Sequence, residues 1–188
     1  MPANYPADIS KYSFSSKDKL FFDTNIWLFT HGINRPNDPK EKAYSNALSQ
    51  IIKAKSRIYT DVLVVSEFVN TCAKREFSIR NQGGGKLSFK RFRKSEKFKS
   101  ISSDVTRESG KILKLCDRLE SGFRTLNMQQ VLDDYEEGRI DFNDLVISDI
   151  CKRNKLILVT DDGDFRNEEI PILTANRKML NGRGKKLN

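Results

Sequence analysis

Two short runs, Lys19-Leu-Phe-Phe-Asp23 and Lys155-Leu-Ile-Leu-Val-Thr160, carry apolar residues at successive positions and stop at an acid or a hydroxyl. A strand with one wet face alternates apolar and polar residues. One that is apolar throughout must be covered on both faces, as inside a parallel sheet. Helical periodicity separates the runs. From Pro39 to Ala54, Ala43, Ala47, Leu48, Ile51 and Ile52 recur at helical spacing. Arg57-Ile-Tyr-Thr60 predicts another strand, and Thr60 or Asp61 is suited to cap a helix through about Glu76. Ser103 to Leu126 predicts one long helix with Val105, Ile112, Leu115, Cys116 and Leu119 as its stripe, and Gln129 to Glu137 a short one. Asn143 is expected to cap a helix through about Arg153 that buries Leu145, Val146, Ile147, Ile150 and Cys151. Ile170-Pro-Ile-Leu-Thr174 predicts a last strand, which Pro171 places at an edge. Strands alternating with helices specify the α/β class with a mostly parallel sheet.

At 188 residues the chain suits one domain with appendages. The expected division is an extension over 1–18, a domain over 19–176 with a basic insertion around 78–100, and a basic tail over 177–188. No apolar run approaches the roughly 20 residues of a membrane span, and the first residues lack the apolar stretch of a secretory leader. Cys72, Cys116 and Cys151 are far apart and form no CxxC, as expected of reduced thiols in the cytoplasm. The single histidine, His31, rules out a His-rich metal site, argues against Ser-His-Asp hydrolysis, and is placed in a loop after the first helical turn. Gly83-Gly-Gly-Lys86 lacks the spacing of a phosphate-binding loop, and Asp161-Asp-Gly-Asp164 lacks that of a calcium loop.

The net charge of +9 is unevenly placed. Residues 74 to 99 hold ten basic side chains and two acids, and 177 to 188 hold five and none, so the remainder is net −4. Two cationic segments around an acidic body suit a polyanion led toward a cation-binding centre. In the first segment Phe89, Phe92 and Phe98 alternate with Lys86, Lys90, Arg91, Arg93, Lys94 and Lys97. Those rings either stack on unpaired bases or pack on the protein body.

Acids end two of the strands: Asp23 follows the first, and Asp161, Asp162 and Asp164 follow the run to Thr160. In open parallel sheets ligands sit beyond the carboxyl ends of the strands. Converging carboxylates repel unless they are protonated or a cation neutralises them, and hard cations such as Mg²⁺ and Mn²⁺ prefer oxygen ligands. Such ions activate water and stabilise the charge of a phosphodiester displacement with no need of histidine or a covalent intermediate.

Four segments then resemble the PIN-domain nuclease family, in its order: Leu20-Phe-Phe-Asp-Thr-Asn25, Val64-Val-Ser-Glu-Phe-Val-Asn70, Asn143-Asp-Leu-Val-Ile-Ser148 and Val159-Thr-Asp-Asp-Gly-Asp-Phe165. The resemblance implies an α/β/α sandwich and a Mg²⁺- or Mn²⁺-dependent endoribonuclease. It implies Asp23, Glu67, Asp144 and Asp162 as the catalytic, metal-holding acids, with Asp164 as an accessory ligand. Thr24, Asn25 and Thr160 would support them by hydrogen bonds. Many relatives are VapC-type toxins, so the implied partners are RNA, a cognate antitoxin and a second copy of the chain.

Each acid also has an ordinary explanation. Asp144 lies where a helix dipole favours a carboxylate, and Glu67 falls on the polar face of its helix, away from Val64, Phe68 and Cys72. Asp162 and Asp164 flank a turn glycine, and Asp23 could be a strand-end cap. Asp141 is a second choice beside Asp144, and the motif register prefers Asp162 to its neighbour Asp161. A catalytically silent RNA-binding module and a DNA- or flap-directed nuclease remain as alternatives.

Overall fold

The computed structural model describes residues 6–33, 38–80, 88–138 and 140–181. Within them six strands pair in parallel: β1 (Ala7–Asp8), β2 (Lys19–Phe22), β3 (Arg57–Thr60), β4 (Cys116–Arg118), β5 (Ile157–Val159) and β6 (Ile172–Thr174). Their order is β1-β6-β5-β2-β3-β4. The two uninterrupted apolar runs are the central strands β5 and β2, in register with Phe22 opposite Val159. Leu20, Phe21, Phe22, Leu158 and Val159 are buried, as a sheet covered on both faces requires.

The helices are α1 (Thr24–His31), α2 (Pro39–Ala54), α3 (Val62–Arg80), α4 (Phe89–Phe92), α5 (Glu96–Leu115), α6 (Met128–Glu136), α7 (Phe142–Asn154) and α8 (Arg177–Asn181). Helix α1 packs on α2, α3 and α5, and α6 packs on α7. The crossovers β2 to β3 to β4 advance in one direction and the crossover β4 to β5 returns. Right-handed connections therefore put the two helix groups on opposite faces of the sheet, giving the expected α/β/α sandwich. No helix among the described residues is long and apolar enough to cross a membrane.

Several sequence expectations need correction. The helix expected over 103 to 126 runs from Glu96 to Leu115 and gives way to β4, where Cys116 pairs with Ile58. Its apolar stripe continued because Cys116 in the strand and Leu119 just after it are half-buried against the core. β1 pairs outside β6, so Pro171 does not mark an edge. Asp141, not Asn143, caps α7, accepting the Asp144 N–H at 3.1 Å. His31 ends α1 with its ring edge-on to Trp27 rather than lying in a loop.

The described residues of the basic insertion are largely helical. α3 and α5 pack together, with α4 near the end of α3, and Phe77 and Phe98 close on Phe89 and Phe92. Phe92 is only 3% exposed. That settles the two readings of this ring in favour of packing: it is spent on the protein's own core and is not available to stack on a base. Residues 81–87, with Lys86, and 182–188 of the basic tail lie outside the described residues.

Candidate active site

Because all six strands run the same way, the residues after β2, β3, β5 and β6 emerge along one rim. Asp23 follows β2 and caps α1: its Oδ1 accepts the Thr24 N–H at 2.6 Å. Its Oδ2 accepts from Thr160 Oγ1 at 2.7 Å and from Asn25 Nδ2. The Thr160 hydroxyl in turn accepts from Asn25 Nδ2 at 3.2 Å and from the Asp162 N–H at 3.0 Å. Thr24, Asn25 and Thr160, the three residues expected to support the acids, thus each donate a hydrogen bond to Asp23.

Glu67, in the second turn of α3, accepts from Thr24 Oγ1 at 2.9 Å, so the polar face of that helix is turned toward the start of α1. Asp144 stands in the first turn of α7, and Asp162 Oδ1 accepts the Asp164 N–H at 3.0 Å. Asp164 therefore fixes Asp162 through its backbone and leaves its own side chain exposed.

These acids feel one another. Burial pushes the Asp23 carboxyl up to about 6 against the pull of its Thr160 and Thr24 hydrogen bonds, and the charges of Glu67 and Asp162 add to the rise. Burial pushes Asp144 up to about 8, reinforced by Asp141, Asp23, Asp162 and Glu67. Asp23, Glu67, Asp144 and Asp162 are accordingly one electrostatic unit. Among the described residues no lysine or arginine forms a salt bridge with any of the four.

As they stand, no three His, Cys, Asp or Glu side chains among the described residues are grouped closely enough to hold an ion. The donor chemistry nevertheless fits a hard cation. The set is all oxygen, and the charges that raise Asp23 and Asp144 beyond the effect of burial are what a cation would offset.

Asp61, one of the two residues expected to cap α3, accepts the Val64 N–H on its Oδ1 at 3.1 Å. Two features escaped the sequence reading. Asp61 is buried, with Oδ2 meeting no donor among the described residues. Asp161 turns away from Asp162. Its carboxylate receives Lys40 Nζ at 2.6 Å and the Tyr44 hydroxyl at 2.9 Å, and its N–H donates to Asn25 Oδ1 at 3.0 Å. Lys40 and Tyr44 are four apart and share a face of α2, the one local hint of this arrangement. Asp161 is thus a neutralised acid that braces Asn25, and through Asn25 it braces Asp23.

Lys90, Arg91, Arg93, Lys94 and Lys97 are exposed on and beside α4. Phe77, through which α3 packs against α4, lies about 15 Å along the helix from Glu67, at 1.5 Å per residue. The cations and the acids therefore occupy separate regions.

A model of the PIN domain family matches residues 20–169. No curated protein matches. Among solved structures, the chain is similar to the crystal structure of VapBC2 from Rickettsia felis bound to a DNA fragment from their promoter. The identity is 17% and the TM-score 0.54, over 83% of this chain and 98% of that one. It is also similar to the crystal structure of PAE2754 from Pyrobaculum aerophilum, with 15% identity and a TM-score of 0.49 over 93% of this chain and 94% of that one. At 17% identity the likeness to VapBC2 is one of fold.

Proposed function

The chain belongs to the PIN domain family, and on that premise we propose that it is a Mg²⁺- or Mn²⁺-dependent endoribonuclease acting at the acidic rim around Asp23. Proteins of this family are nucleases and generally use divalent metal ions. The observation that carries the proposal is the gathering of four acids on one rim without a salt bridge among the described residues: Thr160 joins Asp23 to the Asp162 backbone, Thr24 joins the Asp23 turn to Glu67, and burial first and neighbouring carboxylates second hold Asp23 and Asp144 above the usual carboxylate range.

Asp23, Glu67, Asp144 and Asp162 would hold the cation, with Asp164 at the margin. When bound, such an ion neutralises the acids, polarises the phosphodiester and lowers the pKa of water. The chain's own residues do the positioning. Thr160 and the Thr24 N–H hold the two Asp23 oxygens, Thr24 Oγ1 holds Glu67, and Asn25 ties Asp23 to the Asp161 backbone. The exposed cations beside α4 would grip the RNA backbone outside the reacting centre. The fold shared with VapBC2 supports a further reading as the toxin of a pair with a cognate antitoxin as partner; a second copy of the chain is proposed beside it on the family resemblance alone.

Incubation with single-stranded and structured RNA in Mn²⁺, Mg²⁺ or EDTA tests the proposal. Cleavage is expected only with metal and is expected to be lost in Asp144→Asn. Metal-independent cutting, or a fully active Asp144→Asn protein, would overturn it.

A further inference from the structure

The beginning of the basic tail lies against the acidic rim. β6 ends at Thr174, and α8 begins at Arg177 after two residues. One of those, Asn176, donates from Nδ2 to the Asp161 carbonyl at 2.7 Å. Beside this join an open cleft of about 680 Å³ runs between the start of α2 and α8, with Lys40, Asn176, Arg177 and Lys178 among its walls. A second cleft of about 540 Å³ shares Arg177 and continues past it.

The two acids of the first cleft are occupied locally. Asp8 accepts from the Ser10 N–H at 2.9 Å and from its hydroxyl at 2.6 Å, with Lys11 at 3.9 Å; Asp38 accepts the Lys40 N–H at 2.9 Å as the cap of α2. Lys40 spends its ammonium on Asp161 but is still 39% exposed. Arg177 and Lys178 are exposed and form no salt bridge among the described residues. With Lys11 set against Asp8 and Lys40 against Asp161, Arg177 and Lys178 stand against Asp38 alone, which leaves the cleft a net charge of +1.

The strand order fixes where this charge lies relative to the site. The acids sit at the ends of β2 and β5; β3, which leads into α3, flanks β2, and β6, which leads into α8, flanks β5. The cleft and the basic region around α4 thus leave the centre in opposite directions. We infer that the cleft between α2 and α8 binds the sugar-phosphate backbone of the RNA strand as it leaves the acidic centre on the β6 side, with Arg177 and Lys178 as its phosphate contacts. This rests on the nuclease reading given above.

The test is binding without turnover. Fluorescein-labelled 12-nucleotide RNA is titrated into the full-length Asp144→Asn protein over a range of salt, with and without Arg177→Gln and Lys178→Gln together. Losing two phosphate contacts is expected to weaken binding severalfold and to reduce the slope of log K against log salt by about 1.4, at about 0.7 per contact on a single strand. Lys53→Gln with Lys55→Gln, at the far end of α2, serves as the control and is expected to leave the slope unchanged. An unchanged slope in the Arg177/Lys178 pair, or an equal change in the control pair, overturns the inference. So does an octaglutamate peptide whose binding needs Arg177 and Lys178 when RNA binding does not, since that assigns the cleft to an acidic protein segment. If the wild type cuts no RNA but the slope still falls by this amount, the nuclease reading fails and the backbone-binding cleft stands. If it cuts RNA and the slope is unmoved, the reverse holds.

Discussion

Thr160 Oγ1 donates to Asp23 Oδ2 at 2.7 Å, joining the ends of the two central strands across 137 positions of sequence. This bond lowers the Asp23 pKa against the push of burial and so keeps the carboxylate available at neutral pH.

Replacing Thr160 by valine keeps the shape and removes the donor. A hydrogen bond to a charged group is worth about 1.5–3 kcal/mol, so cleavage is expected to fall by roughly 10- to 100-fold. The acid limb of the pH–rate profile is expected to move to higher pH, because Asp23 then ionises less readily. A profile of unchanged shape would show that the bond does not tune Asp23.

The metal-free protein is expected to lose stability as pH rises. Asp144 ionises near 3.8 when the chain is unfolded and near 8 when folded, and Asp23 near 3.8 and near 6. Raised carboxyl values favour the folded state fully below about 4, and the advantage disappears as pH climbs through the folded values. Thermal melts in EDTA at pH 5.5, 7 and 8.5 should therefore fall progressively. Asp144→Asn is expected to melt higher than wild type at pH 8.5 and to flatten the trend, and Mg²⁺ should flatten it in the wild type.

Tyr44 is buried at the junction of α2, β5 and β6. It donates to Asp161 and accepts the Ala175 N–H at 2.9 Å. Tyr44→Phe leaves both without that partner, and a buried group left unpaired costs about 1–3 kcal/mol. Urea unfolding should show a loss of this size. A larger fall in cleavage than in stability would show that the brace from Asp161 through Asn25 to Asp23 matters to the site.

What could be read in the sequence follows from how local each signal is. The central strands announce themselves because burial on both faces leaves nothing polar in them past Lys19, and the acids stand at their ends where the chain must turn. β1 and β4 gave no such sign. Ala7–Asp8 and Cys116–Arg118 are two and three residues long and largely polar, so their strand character comes from pairing with β6 and β3. The end of α5 was invisible because its apolar stripe runs on into β4. The partnership of Lys40 with Asp161 spans 121 positions and exists only once α2 lies across the rim.

The basic region was visible as charge, but its phenylalanines were ambiguous until the packing was known. With Phe92 buried between Phe77 and Phe98, Phe92→Ala is expected to cost about 3–5 kcal/mol of stability. A base-stacking ring would instead cost affinity and spare stability. The cations of the same segment should behave in the opposite way. Lys90, Arg91, Arg93 and Lys94 are exposed on and beside α4, which meets α3 about 15 Å along that helix from Glu67, so changing all four to glutamine removes phosphate contacts and no packing. If all four touch single-stranded RNA, the salt slope of binding should fall by about 2.8. Mn²⁺ binding by calorimetry should stay as in the wild type, because several Debye lengths' worth of screening applies to exposed charges at that distance in 0.5 M salt. A variant that lost Mn²⁺ binding while remaining folded would show that the helical hairpin shapes the acidic centre as well as holding the strand.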